Sequence, residues 1–277
     1  MPKYALIIIS ITLLFLLLGW VAVGTLFSPA RSEIGLKPNE YEAVVINATH
    51  GWFLSAEAPK ACMLLMHSIR SNRRQMLSRA QFLRDAGYSS FLIDLYAHGE
   101  TQGEAITYGY KEASSARSAV AFLYSVKECP KVVSLGYSLG GAASLLGEEP
   151  INVDAYILEA VYPTIEDALR NRLEMHMGII GQKLSPLLYQ QIPLRLGISL
   201  ASLQPQDAIK NIKSPVLIIH GTEDKHTTLK EAQQLYENAP APKEFFPMQG
   251  AAHVNLYEFD REAYKKIVLE FLEKYIE

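Results

Sequence analysis

The stretch "VVSLGYSLGGAAS", Val132 to Ser144, decides the fold. It opens as an apolar run of strand length that stops at Gly136, and a helical pattern follows Ser138. Between them stands G-x-S-x-G, with Ser138 flanked by Gly136 and Gly140. A serine on a sharp strand-to-helix turn needs small neighbours, because the folded-back chain leaves no room for side chains there. Such a turn lifts the hydroxyl above the sheet edge. The helix that follows presents its N-terminus, which favours developing negative charge.

Working outward, apolar runs alternate with helical patterns. Strands are expected at 41–48, 52–56, 61–67, 89–94, 131–136, 153–159, 215–221 and 243–248. Several are almost wholly apolar, as parallel strands covered on both faces must be. "RQMLSRAQFLRDAG" places Met76, Leu77, Ala80, Phe82 and Leu83 near one helix face and closes on Gly87. "EASSARSAVAFLYSVK" and "REAYKKIVLEFLEKYIE" read the same way. The alternation predicts βαβ units and a mostly parallel, eight-stranded sheet. Residues 163–206 break the rhythm: they hold no strand pattern and are expected to form a small helical cap.

The chain has 277 residues, a formal net charge of −3 and 49% hydrophobic residues. That suffices for one substantial domain with a buried core. So small a net charge leaves no electrostatic footprint for nucleic acid. Residues 4–27, "YALIIISITLLFLLLGWVAVGTLF", carry no charge and have the length of a membrane span. The expected organisation is an anchor at 1–27, a linker at 28–40 and a catalytic domain at 41–277. The flanking charges orient such an anchor only weakly; read as an uncleaved signal, it is expected to have its N-terminus inside and the domain outside the cytoplasm, with a cleaved signal peptide as the alternative.

A serine hydroxyl becomes a competent nucleophile when a base takes its proton. "VLIIHGTEDKHT" supplies Asp224 just past a strong strand, and "MQGAAHVNLY" supplies His253 after the last one. Ser138, Asp224 and His253, in that order, resemble the triad of the α/β-hydrolase superfamily, and the resemblance covers about residues 41–277. It implies a serine hydrolase. "LLMHSIRSNRRQML" is similar to the segment that supplies one oxyanion-hole N–H, which falls to Ile69 here; Leu139 supplies the other. Ser68 stands where that segment usually has glycine, which makes it a candidate pocket residue. "DLYAHGET" resembles D-x-x-x-H-G-x-S with Thr101 for serine, and its His98 is expected to be structural. "EAVYPTIEDALRNR" resembles the approach to the cap, with Tyr162 either lining the pocket or packing at the cap base.

The remaining titratable residues compete less well. Glu223 adjoins Asp224, but the resemblance matches Asp224. His220 is expected to pack at a strand end and His226 to face solvent. The histidines show no metal-ligand spacing, so neither a metal nor a cofactor is expected.

The resulting expectation is a membrane-anchored hydrolase that cleaves an ester or thioester of a small or lipid-like acyl substrate. Leu187 and Leu196 of the cap are expected to tune acyl length. A peptidase or amidase of the same fold, a non-catalytic binding protein and a membrane-tethered interaction protein are the alternatives. The strand order of the superfamily also makes the strands that follow Cys62 and Cys129 parallel neighbours. That places both thiols at the bottom edge of the sheet, within reach of a disulfide.

Overall fold

The computed structural model describes residues 20, 21 and 23–277. Eight strands form one sheet: β1 (Glu42–Ile46), β2 (Thr49–Leu54), β3 (Cys62–Met66), β4 (Ser89–Ile93), β5 (Val132–Tyr137), β6 (Ala155–Glu159), β7 (Val216–Gly221) and β8 (Lys243–Met248). Their order across the sheet is β8-β7-β6-β5-β3-β4-β2-β1. Strands β3 to β8 pair in parallel, while β2 is antiparallel to both β4 and β1. The α/β-hydrolase fold expected from the sequence is therefore present. The described helices are α1 (Leu77–Asp85), α2 (Glu112–Ser125), α3 (Leu139–Leu145), α4 (Ile165–Tyr189), α5 (Gln191–Leu196), α6 (Leu229–Asn238) and α7 (Arg261–Tyr275), with short turns between some of them.

The all-apolar strands have a direct physical reading. Cys62, Leu64 and Met66 of β3 point into one apolar cluster, and Met63 and Leu65 into a second on the other face. Period-two alternation thus feeds two cores, one under each layer of helices. Helix α1 docks Ala80 and Leu83, both fully buried, and ends before Gly87, whose φ of +92° few other residues adopt readily. The segment between β6 and β7 is helical, as expected of the cap. Its long helix α4 is broken at Gly178, where the backbone leaves helical geometry.

The strand ends carry the turns that matter. Ser138 closes β5 with φ +51° and ψ −106°, and α3 starts at the next residue. A Cβ on Gly136 would overlap the backbone of Gly140 and Gly141, and one on Gly140 would overlap the Met66 carbonyl. Both glycines are therefore required by close approach.

The N-terminal part needs separate description. Most of the expected anchor, residues 4–19, lies outside the described residues. Among the described residues no helix is long and apolar enough to cross a membrane. Residues 28–40, expected as a linker, run against the domain. Ala30 and Arg31 pair in parallel with His98 and Gly99, and Ile34 is buried.

Cys62 and Cys129 are joined in a disulfide, with Cα atoms 5.8 Å apart. Cys62 starts β3 opposite Val132 of β5, so the two cysteines meet at the bottom edge of the sheet. The bond closes a loop of 67 residues. Loop-entropy arguments give such a bridge about 4 kcal/mol of stabilisation. Protein denatured without reductant is expected to resist thiol alkylation at both positions, and reduction is expected to lower the urea midpoint. Full alkylation before reduction, read by mass spectrometry, would contradict the bridge.

Candidate active site

Three loops at the C-terminal edge of the sheet converge on one cavity. It is lined by Ser138 and Leu139 from the elbow, the sharp turn between β5 and α3, and by His253, Ile69, Tyr108, Tyr162, Leu26, His226 and Thr227, with Ala168, Leu169 and Arg172 from the start of α4. The turn at Ser138 is held from both sides. Its N–H donates to the Glu159 carbonyl at 2.7 Å, and its carbonyl accepts from Ala142 N–H at 3.0 Å. A residue held at positive φ stores strain, and the surrounding hydrogen bonds must offset it.

Asp224 and His253 lie far apart in sequence but are brought together by backbone. Glu223 N–H donates to the Ala251 carbonyl at 2.9 Å, and Gly250 N–H to the Thr222 hydroxyl at 2.8 Å. These bonds tie the loop after β7 to the loop after β8. His253 Nδ1 then donates to Asp224 Oδ2 at 2.7 Å. Asp224 Oδ1 accepts from the N–H groups of His226 at 2.8 Å and Thr227 at 3.0 Å. Burial alone would raise the Asp224 pKa, but the His253 hydrogen bond and charge and the Thr227 N–H outweigh it and hold the carboxyl below its usual range. Glu223, the neighbouring alternative, is exposed and does not reach His253.

Three expectations need correction. Ser68 does not line the cavity: its N–H and hydroxyl both turn to Gln75 Oε1, at 2.8 and 3.1 Å. His226 does not face solvent. It lines the cavity, half-buried, with its ring centre 4.8 Å from that of His253. Burial first, then the nearby His253 and Arg172, depress its pKa, which favours a neutral ring. Leu187 and Leu196 of the cap are likewise absent from the lining, which takes its cap residues from the first turns of α4 instead. Tyr162 combines its two alternatives: it lines the cavity, and its hydroxyl donates to the Tyr108 carbonyl at 2.6 Å.

His98 and His220 play the packing roles expected of them, and His67 joins them. His67 Nδ1 donates to the Ser68 carbonyl at 2.7 Å, and its Nε2 accepts from Leu95 N–H at 3.1 Å. His98 packs its ring 5.2 Å from that of His67. His220 bonds the Thr227 carbonyl at 2.8 Å. In the "DLYAHGET" segment, Asp94 accepts from the N–H groups of Arg73 and Glu100, at 2.8 and 2.9 Å. Thr101 donates to the Asp94 carbonyl at 2.8 Å, so the threonine serves where the resemblance has serine.

A buried ion pair escaped the sequence reading. Arg79 of α1 and Glu159, the last residue of β6, are both fully buried. Arg79 Nη2 meets Glu159 Oε2 at 2.5 Å and Nε meets Oε1 at 3.0 Å, while the Tyr264 hydroxyl also donates to Glu159. The pair fixes the residue whose carbonyl holds Ser138. A charged residue closing an otherwise apolar strand, "AYILE", was the available signal.

This sheet order, elbow and convergence of loops define an α/β-hydrolase. A model of the dienelactone hydrolase family matches residues 51–266. The chain belongs to that family. It is 24% identical to YqkD of Bacillus subtilis over 244 residues, covering 84% of this chain and 80% of that protein. It is 26% identical to the α/β-hydrolase domain-containing protein WAV2 of Arabidopsis thaliana over 238 residues, covering 82% and 75%. In structure it is similar to the esterase Pf2001 of Pyrococcus furiosus, with a TM-score of 0.72 at 21% identity, covering 91% of this chain and 99% of that one.

Two tests follow from the buried groups. Replacing Arg79 with Met strands the Glu159 carboxylate and is expected to cost about 3–5 kcal/mol by urea unfolding. The double variant Arg79→Met, Glu159→Leu is expected to recover part of that loss. Burial also pushes the pKa of His67 and of His98 down to about 4. The unfolded chain, with ordinary histidines, then binds more protons between about pH 6.5 and 4. Each histidine therefore withdraws stability as pH falls through that window. His98→Asn keeps a donor for the Tyr96 carbonyl, which His98 Nδ1 meets at 2.9 Å. Its stability is expected to fall less than wild type between pH 7 and 5, by roughly 2 kcal/mol. Equal losses in the two proteins would refute this.

Proposed function

We propose that the protein is a serine hydrolase that cleaves carboxylic esters through an acyl-enzyme on Ser138. The observation that carries the reading is the 2.7 Å contact between Asp224 and His253 at the cavity that Ser138 lines. His253 takes the Ser138 proton as Oγ attacks the carbonyl carbon. The same proton passes to the leaving alkoxide when the ester C–O bond breaks. Water then attacks the acyl-enzyme with His253 again as base, releasing the acid and restoring Ser138. Asp224, ionised and bonded to Nδ1, keeps Nε2 free to accept and stabilises the imidazolium. The N–H groups of Ile69 and Leu139 are assigned to the oxyanion, Leu139 with the help of the α3 N-terminus.

The apolar residues of the cavity favour an acyl chain over a charged or peptide-like group. The likeness to the Pyrococcus esterase and the family match support hydrolysis as the reaction class. The Cys62–Cys129 bridge supports an oxidising compartment for the domain. The uncharged run at 4–27 supports an anchor that holds it there.

The test is labelling with a fluorophosphonate and turnover of p-nitrophenyl esters. Wild type is expected to label, and Ser138→Ala is expected neither to label nor to turn over. Asp224→Asn is expected to lower kcat by roughly 10³–10⁴ with little change in fold, because it favours the wrong tautomer of His253. Labelling of Ser138→Ala at the wild-type rate would overturn the assignment.

A further inference from the structure

The segment that ends the uncharged N-terminal run does not leave the domain. Residues 23–27 are helical and lie on it. Phe27 is buried in the core cluster on the face that holds α3, its ring 5.8 Å from that of Tyr108. The Phe27 carbonyl accepts from Ile106 N–H at 2.8 Å. Just beyond, Ala30 N–H donates to the Ala97 carbonyl at 2.8 Å and Ser32 N–H to the Gly99 carbonyl at 3.0 Å. On the other side, the Arg195 guanidinium of α5 lies 3.7 Å from the centre of the Trp20 ring, and Arg70 donates to the Thr25 carbonyl. The segment is therefore held along its length by the 97–106 loop, the cap and the loop that carries Ile69.

Leu26 sits in the middle of this strap. It is half-buried and lines the same cavity as Ser138 and His253, together with Ile69, Tyr108 and Tyr162. With Leu26 in place that cavity measures about 60 Å³. Sites for drug-sized ligands run to roughly 300–1,000 Å³. The walled space beside the elbow is therefore small, with part of its boundary open.

We infer that Leu26 is a specificity-determining residue: it forms an apolar wall of the acyl site and restricts the enzyme to short acyl chains. The inference rests on the serine-esterase reading of Ser138. A wall contributed from outside the sheet and cap is readily altered without touching the reacting groups. One methylene in an apolar pocket commonly changes discrimination by about tenfold or more. Truncating Leu26 therefore lengthens the acyl chain that fits, and enlarging it shortens that chain further.

The experiment uses the full chain in detergent, with p-nitrophenyl acetate, butyrate, hexanoate and octanoate. Wild type is expected to prefer acetate or butyrate. Leu26→Ala is expected to raise the hexanoate-to-acetate ratio of kcat/KM by about tenfold. The change should come mainly from a lower KM for the longer esters. Leu26→Trp is expected to move the ratio the other way. Leu36→Ala, in the same segment but 93% exposed, is the control that leaves the profile as it was. Fluorophosphonate labelling of Ser138 is measured for every variant. If labelling is intact and the Leu26 profiles match wild type, the wall assignment is overturned. If wild type itself fails to label at Ser138, the esterase reading falls, and the wall assignment with it.

Discussion

The left-handed backbone of Ser138 is the constraint on which the rest of the site depends. A side-chain-bearing residue at φ +51° is held there against its own preference. What holds it is close packing. Gly136 and Gly140 let α3 press against β5 and β3, and the Glu159 carbonyl takes the Ser138 N–H. Glu159 is itself immobilised by Arg79 and Tyr264. A chain of contacts thus runs from α1 and α7, through the end of β6, to the serine. Buried ion pairs seldom add net stability over apolar replacements. At this position the pair has a geometric use, because it fixes a backbone carbonyl that a leucine side chain could not orient.

The sheet was legible because its chemistry is local. A strand buried on both faces must be almost entirely apolar, so each of β3 to β7 is visible as a run, and their spacing requires intervening helices. The elbow was legible for the same reason: glycine, serine and glycine act on their immediate neighbours. Asp224 and His253 were legible through order and position, although their contact depends on bonds between two loops that no pattern displays. What stayed hidden was set by distant partners. Ser68 turns away from the cavity because Gln75 offers an acceptor. His226 curls inward because its own N–H is bound to Asp224. Arg79 looks like an ordinary polar residue of an amphipathic helix until the carboxylate at the end of β6 is placed beside it.

The N-terminal run shows the limit of hydropathy most plainly. From Tyr4 to Phe27 nothing in the residue types marks where one environment gives way to another. Apolar side chains suit a bilayer and a protein core equally well. Phe27 nevertheless belongs to the core of the domain, and Leu26 to the cavity. A boundary drawn by composition therefore falls several residues too late, because packing against the domain begins within the apolar run.

The histidines show how environment, rather than residue type, assigns a role. His67 and His98 lie against each other in a buried site where a charge is poorly solvated, and both are pushed toward neutrality. Each has a backbone carbonyl for one ring nitrogen, which fixes the ring without making it basic. His253 has instead a carboxylate on Nδ1 and a cavity on its other side. That carboxylate is kept ionised by the hydrogen bonds it accepts. A ring held by a neutral carbonyl in a dry interior is a packing element. A ring held by an anion at the wall of a cavity stands where a reacting group can meet it, and this difference supports His253 as the base of the proposed reaction.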